Sequence, residues 1–343
     1  MSKTTTPKVE TYDDRPIHAE PGELPPEVQA PLAPYNGEPP PTPQWFRDAI
    51  AQEPERSFVE SQGSRIELLT WGEVGKPGLL LAHGNSAHAD WWSFIAPYLA
   101  KDYRVASMSL DGMGASDWRE TYSHADFAED AEACARAAGL YEGGRKPIYI
   151  GHSFGGSLVF FAAAAHPERM HAAILVDTGF GGPPPGSAEA KRMERVRNIP
   201  TVDRSTKVYA TLPEALARFR LMPPQAAGNP FIADFIARRS LKPAPLPDGG
   251  EGWTWRFDPN MWGKLDREVM DGFVSKGPPK VEVPLAHILG DRSAIIEMSK
   301  ARPSPLPAGT LRIEIPDSAH HIMIDQPLAL IGALRALLAV WPT

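Results

Sequence analysis

The sequence predicts an α/β fold: a mainly parallel, eight-stranded sheet with helices on both faces and an inserted, mostly helical cap. Three observations carry that expectation. From about residue 56 onward, strand and helix signals alternate, which is the pattern of a parallel sheet crossed over by helices. The runs Leu79-Leu80-Leu81-Ala82 and Ala173-Ile174-Leu175-Val176 are continuously apolar, as strands buried on both faces must be. The alternation then breaks between about 180 and 275, directly after the sixth strand signal, where an insertion reads as a cap.

Taken in order, residues 1–54 form a Pro-rich N-terminal arm. They hold 12 of the 37 prolines and show little apolar periodicity, so they cannot easily bury a core of their own. The arm is expected to lie extended on the protein or on a neighbouring subunit, or to be disordered. Trp45-Phe46 and Ala49-Ile50 predict that its end docks as a short helix. Strands are expected at 56–61, 65–73, 78–83, 104–110, 147–152, 172–177, 285–290 and 310–315. Helices are expected near 90–100, 123–139, 155–166, 294–301 and 327–340. The core then comprises 55–180 and 276–343, and the cap subdomain 181–275. A chain of 343 residues suits one such domain with its insertion.

Composition excludes several function classes. The net charge is −7 and no basic stripe is present, which argues against nucleic acid and anionic membranes as partners. The single cysteine, Cys134, excludes an internal disulfide and Cys-rich zinc sites. It falls in an alanine-rich helical stretch, as a core thiol would. No apolar stretch reaches membrane-spanning length and the N-terminus has no signal-peptide core, so the expected location is cytoplasmic. The expected partner is a small-molecule substrate. The arm also offers a surface through which copies of the chain could form a homo-oligomer.

The chemistry centres on Gly151-His152-Ser153-Phe154-Gly155. Pro147-Ile148-Tyr149-Ile150 leads in as a strand, and Gly155 to Ala165 leads out as a helix. In that context G-x-S-x-G is a nucleophile elbow, with the Ser153 hydroxyl exposed above the sheet. A serine hydroxyl needs a base to become a nucleophile. His320, in a loop just past the last strand and before Pro327, is placed to be that base. The adjacent His321 would point elsewhere. Leu81-Ala82-His83-Gly84-Asn85 ends an early strand, where a glycine lets the backbone turn. The Asn85 N–H, with the N–H of Phe154, would then face the oxygen that becomes negative in the transition state. His83 reads as a loop-orienting group rather than a second base.

His83-Gly84-Asn85, Gly151-His152-Ser153-Phe154-Gly155-Gly156 and Ala319-His320-His321 with Pro327 resemble, in order and spacing, the signatures of the α/β-hydrolase superfamily over about residues 56–343. Leu110 to Ser116 resembles its loop after strand four. The resemblance implies an eight-stranded sheet, a variable cap after strand six, a Ser-His-acid triad and no cofactor or metal. One position departs from it. The usual acid lies three residues beyond a glycine after strand seven, and there Gly290-Asp291-Arg292-Ser293 presents Ser293. A neutral serine cannot stabilise an imidazolium as a carboxylate does. Three readings stand: Asp177 at the end of strand six is the acid, Asp291 is the alternative acid, or no acid is needed. Asp177 is favoured because haloalkane dehalogenases and zearalenone-type lactonases of this superfamily carry theirs at that strand end.

The expected function is a serine hydrolase, cleaving a carboxylic ester or lactone of a hydrophobic, mid-sized substrate through an acyl-enzyme. Ser153 attacks, His320 is base and then acid, Asp177 orients it, and Asn85 and Phe154 bind the oxyanion. Trp92, Phe219, Met222, Trp253 and Trp255 are the candidate substrate contacts, since an aromatic pocket suits an apolar substrate. Arg192, Arg195 and Arg197 read as a solvated helical face. Members that use aspartate as nucleophile form alkyl-enzymes, a route that Ser153 disfavours. Two alternatives remain: hydrolysis of a carbon–carbon bond in a β-diketone-like substrate by the same triad, and a non-catalytic ligand receptor on this fold.

Overall fold

The apolar runs offered as central strands do lie in the middle of the sheet. In a computed structural model that describes residues 24–142, 144–180, 205–266, 268, 279–294 and 306–341, β3 (Gly78–Ala82) and β6 (Ala172–Val176) are buried at every residue. The other strands of the main sheet are β1 (Glu55–Ser61), β2 (Ser64–Trp71), β4 (Arg104–Met108), β5 (Ile148–His152), β9 (Leu285–Gly290) and β10 (Leu311–Ile315). Their order is β1-β2-β4-β3-β5-β6-β9-β10. β1 pairs with β2, and β2 with β4, in antiparallel fashion. All other pairs are parallel. Buried parallel strands need helices on both faces, which is why the alternation in sequence carries the architecture.

The described helices are α1 (Pro26–Gln29), α2 (Gln44–Ile50), α3 (Ala96–Ala100), α4 (His124–Ala137), α5 (Phe154–Ala165), α6 (Leu212–Leu216), α7 (Pro230–Arg239), α8 (Met261–Lys264), α9 (Ile322–Asp325) and α10 (Pro327–Val340). α4 starts where its sequence says it should. The Ser123 hydroxyl accepts the Asp126 N–H at 3.0 Å, satisfying one orphan donor of the first turn. The single helix expected near 90–100 is instead two pieces, a 3-10 turn at Ala89–Trp92 and then α3. Pro97 explains the break, because proline belongs in the first turn of a helix rather than its interior. The helix expected at 294–301 lies almost wholly outside the described residues. Cys134 is fully buried, and burial pushes its thiol well above the usual range. Among the described residues no helix is long and apolar enough to cross a membrane.

The arm's described part, from residue 24, lies on its own chain. α2 forms where Trp45-Phe46 predict it. Phe46 is 1% exposed, and its ring meets Phe94 of the core at 5.5 Å and Phe231 and Phe235 of α7 at 5.0 and 5.5 Å.

The cap's described part, 205–266, holds α6, α7 and α8 and also a hairpin, β7 (Leu241–Pro245) with β8 (Glu251–Trp255). The hairpin adds two strands that the sequence reading did not place to an insertion whose helices outweigh them. Its turn is closed by the Gly249 N–H donating to Leu246 O at 3.1 Å. The cap is sewn to the loop after β4. Asp258 N–H donates to Gly112 O at 2.6 Å, and Gly114 N–H donates to Arg256 O at 2.8 Å.

Candidate active site

The elbow is built by steric necessity. Ser153 sits between β5 and α5 at φ 52° and ψ −116°, a backbone conformation that L residues rarely adopt. A Cβ at Gly151 would collide with the Gly155 carbonyl, and one at Gly155 with the His83 carbonyl. The strained turn therefore closes only with glycine at both places. Ser153 N–H donates to Val176 O at 2.9 Å, which ties the turn to β6. The outcome is a half-buried hydroxyl at the N-terminus of α5.

The sheet brings the expected partners to it. The loop after β10 carries His320, and the Ser153 hydroxyl donates to His320 Nε2 at 2.9 Å. The other ring nitrogen, Nδ1, donates to Asp177 Oδ2 at 2.6 Å. His152 Nε2–H donates to the His320 carbonyl at 3.0 Å, so the residue before Ser153 also holds the backbone of the histidine. Asp177 is fully buried at the end of β6, at φ 46°. Its Oδ1 accepts the Gly290 N–H at 3.0 Å and its Oδ2 accepts the Ser293 hydroxyl at 2.5 Å. Asp291 goes elsewhere. It is exposed and accepts the Ser318 N–H at 3.1 Å. That backbone donor, foremost, holds its carboxyl below the usual carboxylate range. Asp291 thus braces the turn before His320, and it is Asp177 that touches the imidazole.

Phe154 follows Ser153 directly, and the turn that carries Asn85 comes close to it: a Cβ on Gly84 would lie 3.3 Å from the Ser153 Cβ. Phe154 opens α5, so its N–H has no acceptor within the helix and points outward. Among the described residues the Asn85 N–H likewise donates to no backbone acceptor. Two such N–H groups can receive a developing oxyanion. His83 behaves as the loop-orienting residue. Its Nδ1–H donates to Gly84 O at 2.7 Å while Nε2 accepts the Leu110 N–H at 2.9 Å. Burial pushes it down to about 3, so it stays neutral and cannot serve as a base near neutrality. Burial also lowers His152 to about 3 and holds His321 well below its ordinary value.

His321 turns towards the cap. Its backbone N–H and its Nδ1–H both donate to Gln225 Oε1, at 2.9 and 2.8 Å. Gln225 Nε2 donates on to Asp325 Oδ2 at 2.9 Å, and the same oxygen accepts the Ala319 N–H at 2.8 Å. One cap amide therefore braces the loop that carries His320. Sequence reading missed Gln225, because a lone glutamine in a Pro- and Ala-rich stretch carries no pattern.

The expected substrate contacts need correction. Trp92 is fully buried in the core, where its indole is packing rather than a pocket wall. Trp255 and Phe219 are each 6% exposed, and their rings pack at 6.4 Å inside the cap. Trp253 is half-buried and pairs with Tyr209, while Met222 is exposed. None of the five makes a described ring contact or hydrogen bond with Ser153, Phe154 or His320. The aromatics that do reach the site are others. Trp262 of α8 meets Phe154 edge-on at 5.4 Å, and Trp91 stacks on His152 at 6.4 Å with the planes 18° apart. Arg192, Arg195 and Arg197 lie outside the described residues. Among the described residues no cluster of three or more His, Cys, Asp or Glu could hold a metal ion.

Comparison with known proteins gives the family and the fold. A model of the alpha/beta hydrolase family matches residues 79–333. Lipase LipV of Mycobacterium tuberculosis is 29% identical over 208 residues, covering 60% of this chain and 73% of the lipase. A 2-hydroxy-6-oxononadienedioate/2-hydroxy-6-oxononatrienedioate hydrolase of Paraburkholderia phymatum is 27% identical over 215 residues, 57% of this chain and 73% of that one. Among solved structures, the thioesterase domain from the curacin biosynthetic pathway superposes with a TM-score of 0.64 at 20% identity. It covers 82% of this chain and 99% of that domain, a likeness of fold.

Proposed function

The chain belongs to the alpha/beta hydrolase family, and from that premise we propose that it is a serine hydrolase cleaving a carboxylic ester or lactone through an acyl-enzyme. One observation carries the reading: the unbroken chain from Ser153 Oγ through His320 to Asp177, at 2.9 and 2.6 Å. His320 Nε2 takes the hydroxyl proton as Ser153 Oγ attacks the ester carbonyl. Asp177 faces the Nδ1–H and stabilises the imidazolium that forms. The Asn85 and Phe154 N–H groups receive the oxyanion, where losing one donor typically costs about 2.7–4 kcal/mol of barrier. His320 then protonates the leaving alkoxide and afterwards activates a water to release the acid. The indole of Trp262 and the ring of Phe154 favour an apolar, mid-sized substrate.

A second reading is hydrolysis of a carbon–carbon bond in a β-diketone-like substrate. The dienedioate hydrolase among the relatives favours keeping it. Ring opening by way of an ester to an enzyme carboxylate, by contrast, needs an acid where Ser153 stands. The test is turnover of short and medium acyl aryl esters together with labelling by a serine-directed phosphonate. We expect turnover, and a single label on Ser153 that Ser153→Ala abolishes. A wild-type protein that neither hydrolyses these esters nor takes the label would overturn the reading. Turnover of the diketone with inert esters would transfer it to the second.

A further inference from the structure

Ser293 occupies a position that the mechanism above does not use. Its hydroxyl lies 2.5 Å from Asp177 Oδ2, the same oxygen that faces His320 Nδ1 at 2.6 Å. It is 1% exposed, on the loop after β9 and far from Asp177 in sequence. We propose that Ser293 is a positioning residue for the acid, its hydroxyl fixing Asp177 Oδ2 against His320. The inference rests on the serine-hydrolase reading.

The direction of the bond follows from chemistry. An ionised carboxylate only accepts, so the Ser293 O–H donates. Asp177 then has both oxygens held by one segment: Oδ1 by the Gly290 N–H and Oδ2 by the Ser293 hydroxyl. Two anchors on two oxygens define the carboxylate plane, where one would leave it free to turn about the bond to Cβ. That matters because an imidazole presents its N–H along one line in the ring plane. The site is also too buried for bulk water to take over the hydroxyl's bond. A second consequence is electrical. Oδ2 divides its negative charge between two donors, so it holds the imidazolium proton less tightly than an unshared oxygen would. Ser293 therefore orients the acid and moderates it at once. A group that merely filled space would do neither.

These two effects separate in Ser293→Ala, which removes one oxygen without adding bulk. With an aryl ester, kcat should fall about tenfold at unchanged KM, since Ser293 touches the acid and not the substrate. The acid limb of the kcat/KM profile should also move to higher pH, because the unshared carboxylate now favours the imidazolium. Ser293→Thr, which restores the hydroxyl, should return both. In an Asp177→Asn background, Ser293→Ala should have almost no further effect, the signature of action through Asp177. A folded Ser293→Ala variant with kcat within twofold of wild type and an unmoved acid limb would overturn the proposal, as would the same loss in the Asp177→Asn background. Should Ser293→Ala not fold, Ser293→Cys, a weaker donor of similar shape, is read by the same two criteria. Phosphonate labelling of wild type at Ser153 distinguishes these failures from failure of the hydrolase reading itself, in which no label forms.

Discussion

At the scale of single residues, burial separates two aspartates that look interchangeable in the sequence. Asp177 and Asp291 both follow a sheet strand, and either spacing allows a loop to reach His320. Asp177 is fully buried, with the imidazole on Oδ2, whereas Asp291 is exposed and bonded to the Ser318 N–H. Asp177→Asn should therefore lower kcat by orders of magnitude, up to about 10⁴ as in the best-studied triad, with the fold intact. Asp291→Asn should cost less than tenfold, through a looser turn before His320. Steady-state kinetics on an aryl ester ranks the two, and a near-silent Asp177→Asn would sink the assignment. The elbow, the Asn85 turn and the His320 loop were legible because each is a local string. A glycine that only a sharp turn demands, or a histidine beside a strand end, shows itself within five residues. The choice of acid was not legible to that degree, since it depends on which carboxylate the sheet buries. Trp92 failed as a pocket residue for the same reason: residue type says nothing about which way an indole faces.

At the scale of elements, the strands were legible almost to the residue, and the arm's helix with them. The hairpin β7–β8 was not. Pro243 and Pro245 make its first strand read as a loop, because proline cannot serve a ladder on both sides. Yet among the described residues β7 is an edge, paired only with β8, while β8 also meets Tyr209. Asp248-Gly249-Gly250 was the available turn signal. The arm's described part is a strap between core and cap. Phe46 is the common member of a cluster with Phe94 on the core side and Phe231 and Phe235 on the cap side. Nearby, Asp90 takes Arg56 of β1 at 2.6 Å and Arg239 of α7's end at 3.4 Å, so the same junction is also braced by charge. Phe46→Ala should destabilise the protein by about 3–5 kcal/mol, the usual cost of emptying so enclosed an aromatic site. Because the ring bridges two units, early proteolysis should fall within the cap. Chemical denaturation and limited proteolysis measure the two effects. A loss under 1 kcal/mol would mean that the arm merely rests on the surface.

At the scale of the whole molecule, what the composition conceals is how many imidazoles the fold keeps from charging. The net charge of −7 suggests nothing about acid stability, because that depends on where the titrating groups lie. Burial lowers His83 and His152 to about 3 and His124 and His287 to about 4. Among the described residues His124 has no hydrogen-bond partner at either nitrogen, so only the charge of Asp266 offsets the cost of protonating it in the interior. For each of these the folded value lies below the unfolded one near 6.5. Its stabilisation is therefore complete above pH 6.5 and is lost as pH falls towards the folded value. Buried carboxyls oppose them, since burial raises Asp130 and Asp325 as well as Asp111. Burial, with Asp130 alongside, raises Asp111 to about 7. Its contribution is present below the unfolded carboxyl value and fades as pH rises through 7, so acidification helps it. Between pH 6.5 and 5 each imidazole costs roughly 1.5 kcal/mol by this linkage, and Asp111 returns about as much once. Burial lowers His88 and His321 too, so the lowered imidazoles outnumber the raised carboxyls and the net is a fall in stability on acidification. Urea denaturation at pH 7, 6 and 5 should show it, and Asp111→Asn, which removes one opposing group, should make the decline steeper. A free energy of unfolding that stays level from pH 6.5 to 5 would mean that these imidazoles titrate inside the fold as they do in water. Because unfolding by itself would remove activity, only rates taken on protein shown to be folded at each pH would report the chemistry of the site.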